Sequence, residues 1–140
     1  MVPASQLIED YRSAFLRADL DALVNCFTFP LQVASIDGDQ VSVSIAWSED
    51  WPEILSELLE LYRHLEVADA AMLAVEISQP LDAVAIARVH WDLQRSDGSS
   101  VYDFTAVYTL LRTDGARKII AIAHDELAKI RAVGLQAEAS

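Results

Sequence analysis

The sequence predicts an α+β domain: a cone-shaped, curved antiparallel sheet packed on three helices from the first half of the chain. Three observations lead there. Three of the four glycines follow aspartate, at Asp37-Gly38, Asp97-Gly98 and Asp114-Gly115, and Asp-Gly flanked by β-type stretches is the strongest short-range hairpin signal. Most of the first half instead carries apolar residues at helical spacing. Helices and the long strands are segregated along the chain, the arrangement of an antiparallel α+β domain rather than of a parallel α/β one.

Taken in order, Ser5 is a candidate N-cap for a first helix whose inward stripe is Leu7, Tyr11, Ala14, Phe15 and Ala18. A short second helix follows Asp19, with Leu20, Leu23, Val24 and Phe27 facing inward and Pro30 as its stop. Around Asp37-Gly38 a short hairpin alternates Val41, Val43 and Ile45 with Ser42 and Ser44. A third helix starts near Asp50, where Glu53 completes a capping box and Pro52 is tolerated in the first turn. Its stripe is Trp51, Ile54, Leu55, Leu58, Leu61, Tyr62 and Leu65.

Four strands follow as a meander. The first runs from about Met72 to Ser78 and ends at Gln79-Pro80. The second spans Ala83 to Leu93, the third Val101 to Arg112, and the fourth Lys118 to Ala123. The third is rich in Tyr, Phe, Val and Thr, which suit a pleated surface. Asp125 to Val133 reads as a terminal helix. The domain is expected over 1–134, with a frayed tail at 135–140.

At 140 residues the chain has the length of one domain, large enough to bury a core without disulfide or metal staples. Hydrophobic residues make up 53% and charged residues 23%, which excludes a disordered polymer. The longest apolar run, Ala70 to Val75, is far short of a membrane span. A net charge of -12 repels phosphate backbones and anionic bilayers, so neither nucleic acid nor membrane is an expected partner. The single cysteine, Cys26, forbids an intrachain disulfide and points to a reducing compartment. The opening Met1-Val2-Pro3-Ala4-Ser5 lacks the basic and apolar regions of a signal peptide. The expectation is a cytoplasmic protein. His124-Asp125-Glu126-Leu127 spells a retention signal, but such a signal is read only at a free C-terminus.

No metal is expected, because the three histidines and one cysteine lie far apart without H-x-H, H-E-x-x-H or C-x-x-C spacing. Four glycines form no phosphate-cradling loop, and no serine sits in a G-x-S-x-G elbow. Cys26, beside Phe27, reads as a small buried hydrophobe. No cofactor is implied.

The stretch from Tyr11 to Phe27 carries a helix, the turn Ala18-Asp19-Leu20-Asp21-Ala22-Leu23, a second helix and a closing aromatic. From Phe104 to His124 run a strand, an Asp-Gly turn and an apolar return strand. These two stretches resemble the opening and the ending of the nuclear transport factor 2-like superfamily, particularly its SnoaL-like and ketosteroid-isomerase-like branches. The resemblance spans nearly the whole chain and implies a fold that hosts isomerases, dehydratases, cyclases and plain binding modules. The isomerase branch needs a base carboxylate, a tyrosine and a protonated aspartate. Tyr11 matches the tyrosine. The base falls near Ala34 or Ser35 and the aspartate near Val107 or Tyr108, none of which carries a carboxyl. Nearby Asp37 belongs to its turn. One role of three is filled, which argues against a true ketosteroid isomerase.

A curved sheet around helices leaves a blind-ended pocket. Its expected lining is drawn from Phe15, Trp47, Leu58, Tyr62, Trp91, Phe104 and Tyr108, with the Tyr11 hydroxyl turned inward. Catalytic candidates are Tyr11, His124 and His90. His124 follows Ile120 and Ile122 on one strand face, at the rim, where a histidine could shuttle protons or cap the strand end. His90 alternates with Arg88 and Asp92, opposite the apolar set Ala87, Val89, Trp91 and Leu93, so an acid/base role requires the reverse facing. His64, next to Arg63, reads as a solvated helix-end charge. The functional expectation is a small-molecule-binding domain with an apolar, aromatic-lined pocket and no recognisable catalytic set. The alternative is a cofactor-free isomerase, dehydratase or polyketide-cyclase-like enzyme on a small apolar molecule. A homodimer is expected through the convex face, where Arg88, His90, Asp92, Asp103, Thr105 and Thr109 mix both charges.

Overall fold

The computed structural model describes the backbone of residues 3–139 and the side chains of residues 3–134. The side chains of the tail expected at 135–140 lie outside the described part. In chain order the elements are α1 (Ala4–Leu16), α2 (Leu20–Val24), β1 (Phe27–Asp37), β2 (Gln40–Ala46), α3 (Trp51–His64), β3 (Asp69–Leu81), β4 (Val84–Gln94), β5 (Ser100–Thr113), β6 (Ala116–His124) and α4 (Glu126–Ala139). The strands form one curved, unclosed sheet in the order β2-β1-β6-β5-β4-β3. The class is α+β, as the segregation of elements requires.

Every neighbouring pair is antiparallel except β1 with β6, which run parallel. This pairing corrects the reading of the 20s. The second helix ends at Val24, and Phe27 opens an 11-residue strand that carries Pro30 inside it. Asp19 caps α2, its side chain accepting from the Ala22 amide at 3.1 Å. Five residues of helix satisfy that cap, after which the Phe27 side chain is buried in the core from the strand. Two further boundaries shift. The first helix starts at Ala4 after Pro3, and the Asp50 side chain makes no cap hydrogen bond. β3 starts earlier and ends later than its apolar run, reaching Leu81 through a register shift after Ser78.

The period-2 alternation of β4 and β5 sets the core. Ala85, Ala87, Val89, Trp91 and Leu93 pair across to Leu110, Tyr108, Ala106, Phe104 and Tyr102, and every one of these side chains is buried. The β5–β6 hairpin turns on Asp114 (φ 50°) and Gly115 (φ 77°), the consecutive left-handed pair that matches the sheet's own twist. On β6 the alternation expected through Ile120 is broken by an irregularity opposite Thr109 and Leu110, so Ile119 and Ile122 are the buried residues.

β6 stops at His124, opposite Ser35 of β1 and Ala106 of β5, while both neighbours extend further. α4 takes over from that point and packs against those same two strands. Its first residue therefore enters the interior rather than solvent. Among the described residues no helix is long and apolar enough to cross a membrane.

Candidate functional site

Between α1, α3 and the concave sheet lies a partly open cavity of about 130 Å³. Of the expected lining, Tyr11, Phe15, Leu58, Tyr62, Trp91, Phe104 and Tyr108 all border it, and so does His124. Trp47 does not. It stands 51% exposed in the turn before α3, its carbonyl accepting from the Asp50 and Trp51 amides. Trp51, one helical turn further on and buried, stands at the cavity wall with Trp91 instead. His90 is also outside. Its Nε2 lies 2.6 Å from Asp103 Oδ2 on the convex face, because the alternation of β4 turns Trp91 inward and His90 outward.

The aromatics form one edge-to-face cluster centred on Tyr11, with ring centroids 4.9 Å from Phe15, 5.5 Å from Tyr108 and 5.9 Å from Phe27. Such contacts lock the rings without polar atoms. The Trp91 indole N–H donates to the Tyr108 hydroxyl at 2.9 Å. With its oxygen accepting from Trp91, the Tyr108 O–H proton is left to donate elsewhere.

Glu126, inside the run that spells the retention signal and absent from the sequence-derived candidates, belongs to the same cavity wall. Its side chain borders the cavity, and the residue is only 8% exposed. Tyr102 donates to its Oε2 at 2.8 Å, and the Tyr62 hydroxyl donates to the same oxygen. No protein hydrogen bond reaches Oε1 among the described residues. The Glu126 amide donates to His124 Nδ1 at 3.1 Å, which leaves the histidine's proton on Nε2 when the ring is neutral. No local pattern marks Glu126, because β6 ends at His124 and its burial comes from the turn into α4.

Burial is the dominant influence on these groups. It raises the Glu126 pKa, opposed by the hydrogen bonds from Tyr62 and Tyr102 and reinforced by Asp125. It raises Tyr11, Tyr62, Tyr102 and Tyr108 as well, with the Glu126 charge adding to each, so all four are neutral donors at physiological pH. It lowers His124, against a smaller opposite effect of Asp125, and favours the neutral ring. Cys26 lies outside this cavity, its buried thiol pushed up to about 11. That is an unreactive thiol. Among the described residues no group of three or more His, Cys, Asp or Glu is placed to hold a metal.

Glu126 couples the stability of the fold to pH. Its folded pKa lies above its unfolded one, so between the two the native state holds a proton that the unfolded state has lost. Stability then falls as pH rises through that window, at about 1.4 kcal/mol per pH unit while the difference in bound protons is complete. Glu126→Gln should flatten this decline. Urea unfolding of both proteins from pH 4.5 to 8 measures it, and parallel curves would show that Glu126 is not protonated on folding.

Residues 3–127 match the family described as NTF2-like protein (DUF6841). No curated protein sequence matches the chain. Several solved structures share its fold. An NTF2-like protein of unknown function from Shewanella oneidensis MR-1 is 19% identical with a TM-score of 0.64, over 86% of this chain and 94% of that one. A cystatin-like protein of unknown function from Nostoc punctiforme is 9% identical with a TM-score of 0.66, over 86% of each chain. A proposed dehydratase of the NTF2-like family from Streptomyces avermitilis is 12% identical with a TM-score of 0.63, over 86% of this chain and 91% of that one. At these identities the likeness is one of fold.

Proposed function

We propose, from the premise that this chain belongs to the NTF2-like protein (DUF6841) family, that its cavity takes up a small apolar molecule bearing one carbonyl or hydroxyl, and that Glu126 moves a proton on it without a cofactor. The supporting observation is the Glu126 carboxyl, buried at the cavity wall with Oε2 held by two tyrosines and Oε1 without a partner among the described residues. A carboxyl whose pKa is raised by burial exchanges a proton near neutrality far better than an exposed one does. Tyr108 and Tyr11, which border the same cavity as Glu126, are the donors for the oxygen on which negative charge would develop. Proton removal beside a carbonyl and return at another carbon is an isomerisation. Loss of a neighbouring hydroxyl instead makes it a dehydration.

A cavity of about 130 Å³ is close to the ~150 Å³ of an engineered site that holds benzene, which favours a single ring or a short branched chain. The test is solvent-deuterium exchange into single-ring ketones, followed by NMR, with phenol as a binding probe. Saturable phenol binding together with enzyme-dependent exchange supports the proposal. Phenol binding without exchange on any ketone favours the non-catalytic module of the same fold. Neither would remove the cavity from consideration as a ligand site.

Tyr11→Phe should weaken phenol by about 2- to 10-fold, the worth of one oriented hydrogen bond of 0.5–1.5 kcal/mol. A catalytic donor should cost exchange far more, by about 10²–10³. Equal small losses in both would make Tyr11 a binding residue only.

The same reading includes a homodimer through the convex face. Arg88 with Glu76, 3.7 Å apart, sets both charges side by side there, next to the His90–Asp103 contact, which suits twofold self-pairing. Sedimentation at micromolar concentration should give twice the 15.4 kDa chain mass. Particles of a single chain would sink this part.

A further inference from the structure

A second concavity lies on another face of α1. It is a trough of about 430 Å³ between the Asp10, Ser13 and Arg17 side of that helix, the Asn25-Cys26 end of α2 and the start of β6 at Gly115 to Lys118. Three of the chain's ten Lys and Arg residues gather here, Arg17, Arg117 and Lys118, in a protein of net charge -12. Two of them are engaged. Lys118 Nζ donates to the Asn25 carbonyl and side-chain oxygens, and Arg17 lies 3.7 Å from the Asp19 carboxylate. Asp10, the carboxylate in the lining, is held by Gln6 at 2.8 Å.

Arg117 is the exception. The residue is half-buried, and its Nε and Nη1 are shielded from solvent with no hydrogen-bond partner among the described residues. A guanidinium cannot shed its charge, and buried donors without acceptors are rare enough in folded proteins to require an explanation. Turning the side chain outward into the trough breaks no hydrogen bond at those two nitrogens, because none is made there. The neutral Cys26 thiol offers an anion no charge repulsion. Overall repulsion from the acidic surface is screened beyond about 10 Å at 0.1 M salt, so a local cluster decides what binds.

We infer that this trough is a binding site for a small phosphate-type oxyanion, free or as the terminal group of a small molecule, with Arg117 as its fork-shaped donor and Lys118 and Arg17 flanking. The assignment is independent of the proton-transfer reading of the other cavity. Arg supplies paired donors that match the spacing of phosphate oxygens.

The test titrates inorganic phosphate, and separately glycerol phosphate, at constant ionic strength set with sodium chloride. The readouts are Tm and the amide NMR shifts of Asn25, Cys26 and Gly115 to Lys118. Saturable shifts of those amides with a rise in Tm are expected from phosphate and not from chloride. A stronger response to glycerol phosphate identifies a phosphorylated molecule as the occupant, and an equal response identifies the free ion. Arg117→Gln should weaken binding by about 10- to 100-fold. Lys118→Gln and Arg17→Gln, which alter side chains that already have partners, should weaken it less, and Arg95→Gln at the β4–β5 turn should leave it unchanged. Phosphate behaving as chloride does, or all three trough variants binding like the parent, would overturn the inference. If Arg117→Gln does not fold, the Lys118 and Arg17 variants and the location of the shifted amides decide it.

Discussion

Glu126→Gln should cut enzyme-dependent proton exchange by about 10²–10⁴, the usual worth of a positioned general acid or base, while phenol affinity stays within several-fold. The substitution is close to isosteric. The amide oxygen of Gln can accept from both Tyr62 and Tyr102 as Oε2 does, so the wall of the cavity keeps its shape and its hydroxyls keep an acceptor. Only the capacity to take up and release a proton is lost. The raised pKa of Glu126 has a counterpart in rate. Exchange catalysed by the carboxylate should increase with pH through the same window in which stability falls, since both report loss of one buried proton. Unchanged exchange in the variant would remove Glu126 from the reaction. Loss of exchange together with loss of phenol binding would point to collapse of the cavity instead, and Tyr102→Phe, which deletes one donor and no ring, then separates the two causes.

Leu110→Ala should destabilise the protein by about 2–5 kcal/mol, the range for Leu truncated in a core that cannot collapse around it. Leu110 is 0% exposed on β5, paired with Ala85 on one side and Ile119 on the other. Its neighbours are held by strand ladders on both sides and cannot close in. Against a typical total stability of 5–15 kcal/mol, this is a fall in Tm of about 7–17 °C. Trp47→Ala is the matching control, expected within about 0.5 kcal/mol, because the larger side chain is half exposed. Calorimetry of the two variants measures the contrast. A small effect at Leu110 would mean that the concave face repacks.

The amino-acid sequence by itself determined what local periodicity can carry. Alternation on β4 and β5 set which side chains face the interior, since a period of 2 leaves no choice once one face is apolar. Asp-Gly pairs located the hairpins because Gly38, Gly98 and Gly115 take the positive φ that those turns need. The same patterns brought Tyr11, Phe15, Trp91, Phe104 and Tyr108 to one cavity and His90 to the convex face. What joins distant segments had to wait for the tertiary structure. Phe27 is a strand residue because β1 lies parallel to β6, about 90 residues away, where its own neighbours read as helix. Trp51 rather than Trp47 reaches the wall because Trp51 lies on the buried face of α3 with Leu55, while Trp47 stands in the turn ahead of the helix. Glu126 gains its environment from Tyr62 and Tyr102, 64 and 24 residues distant in the chain. A carboxyl's pKa depends on its solvation and on the donors around it, and both arise only when β6 ends short of its neighbours and α4 turns inward between them.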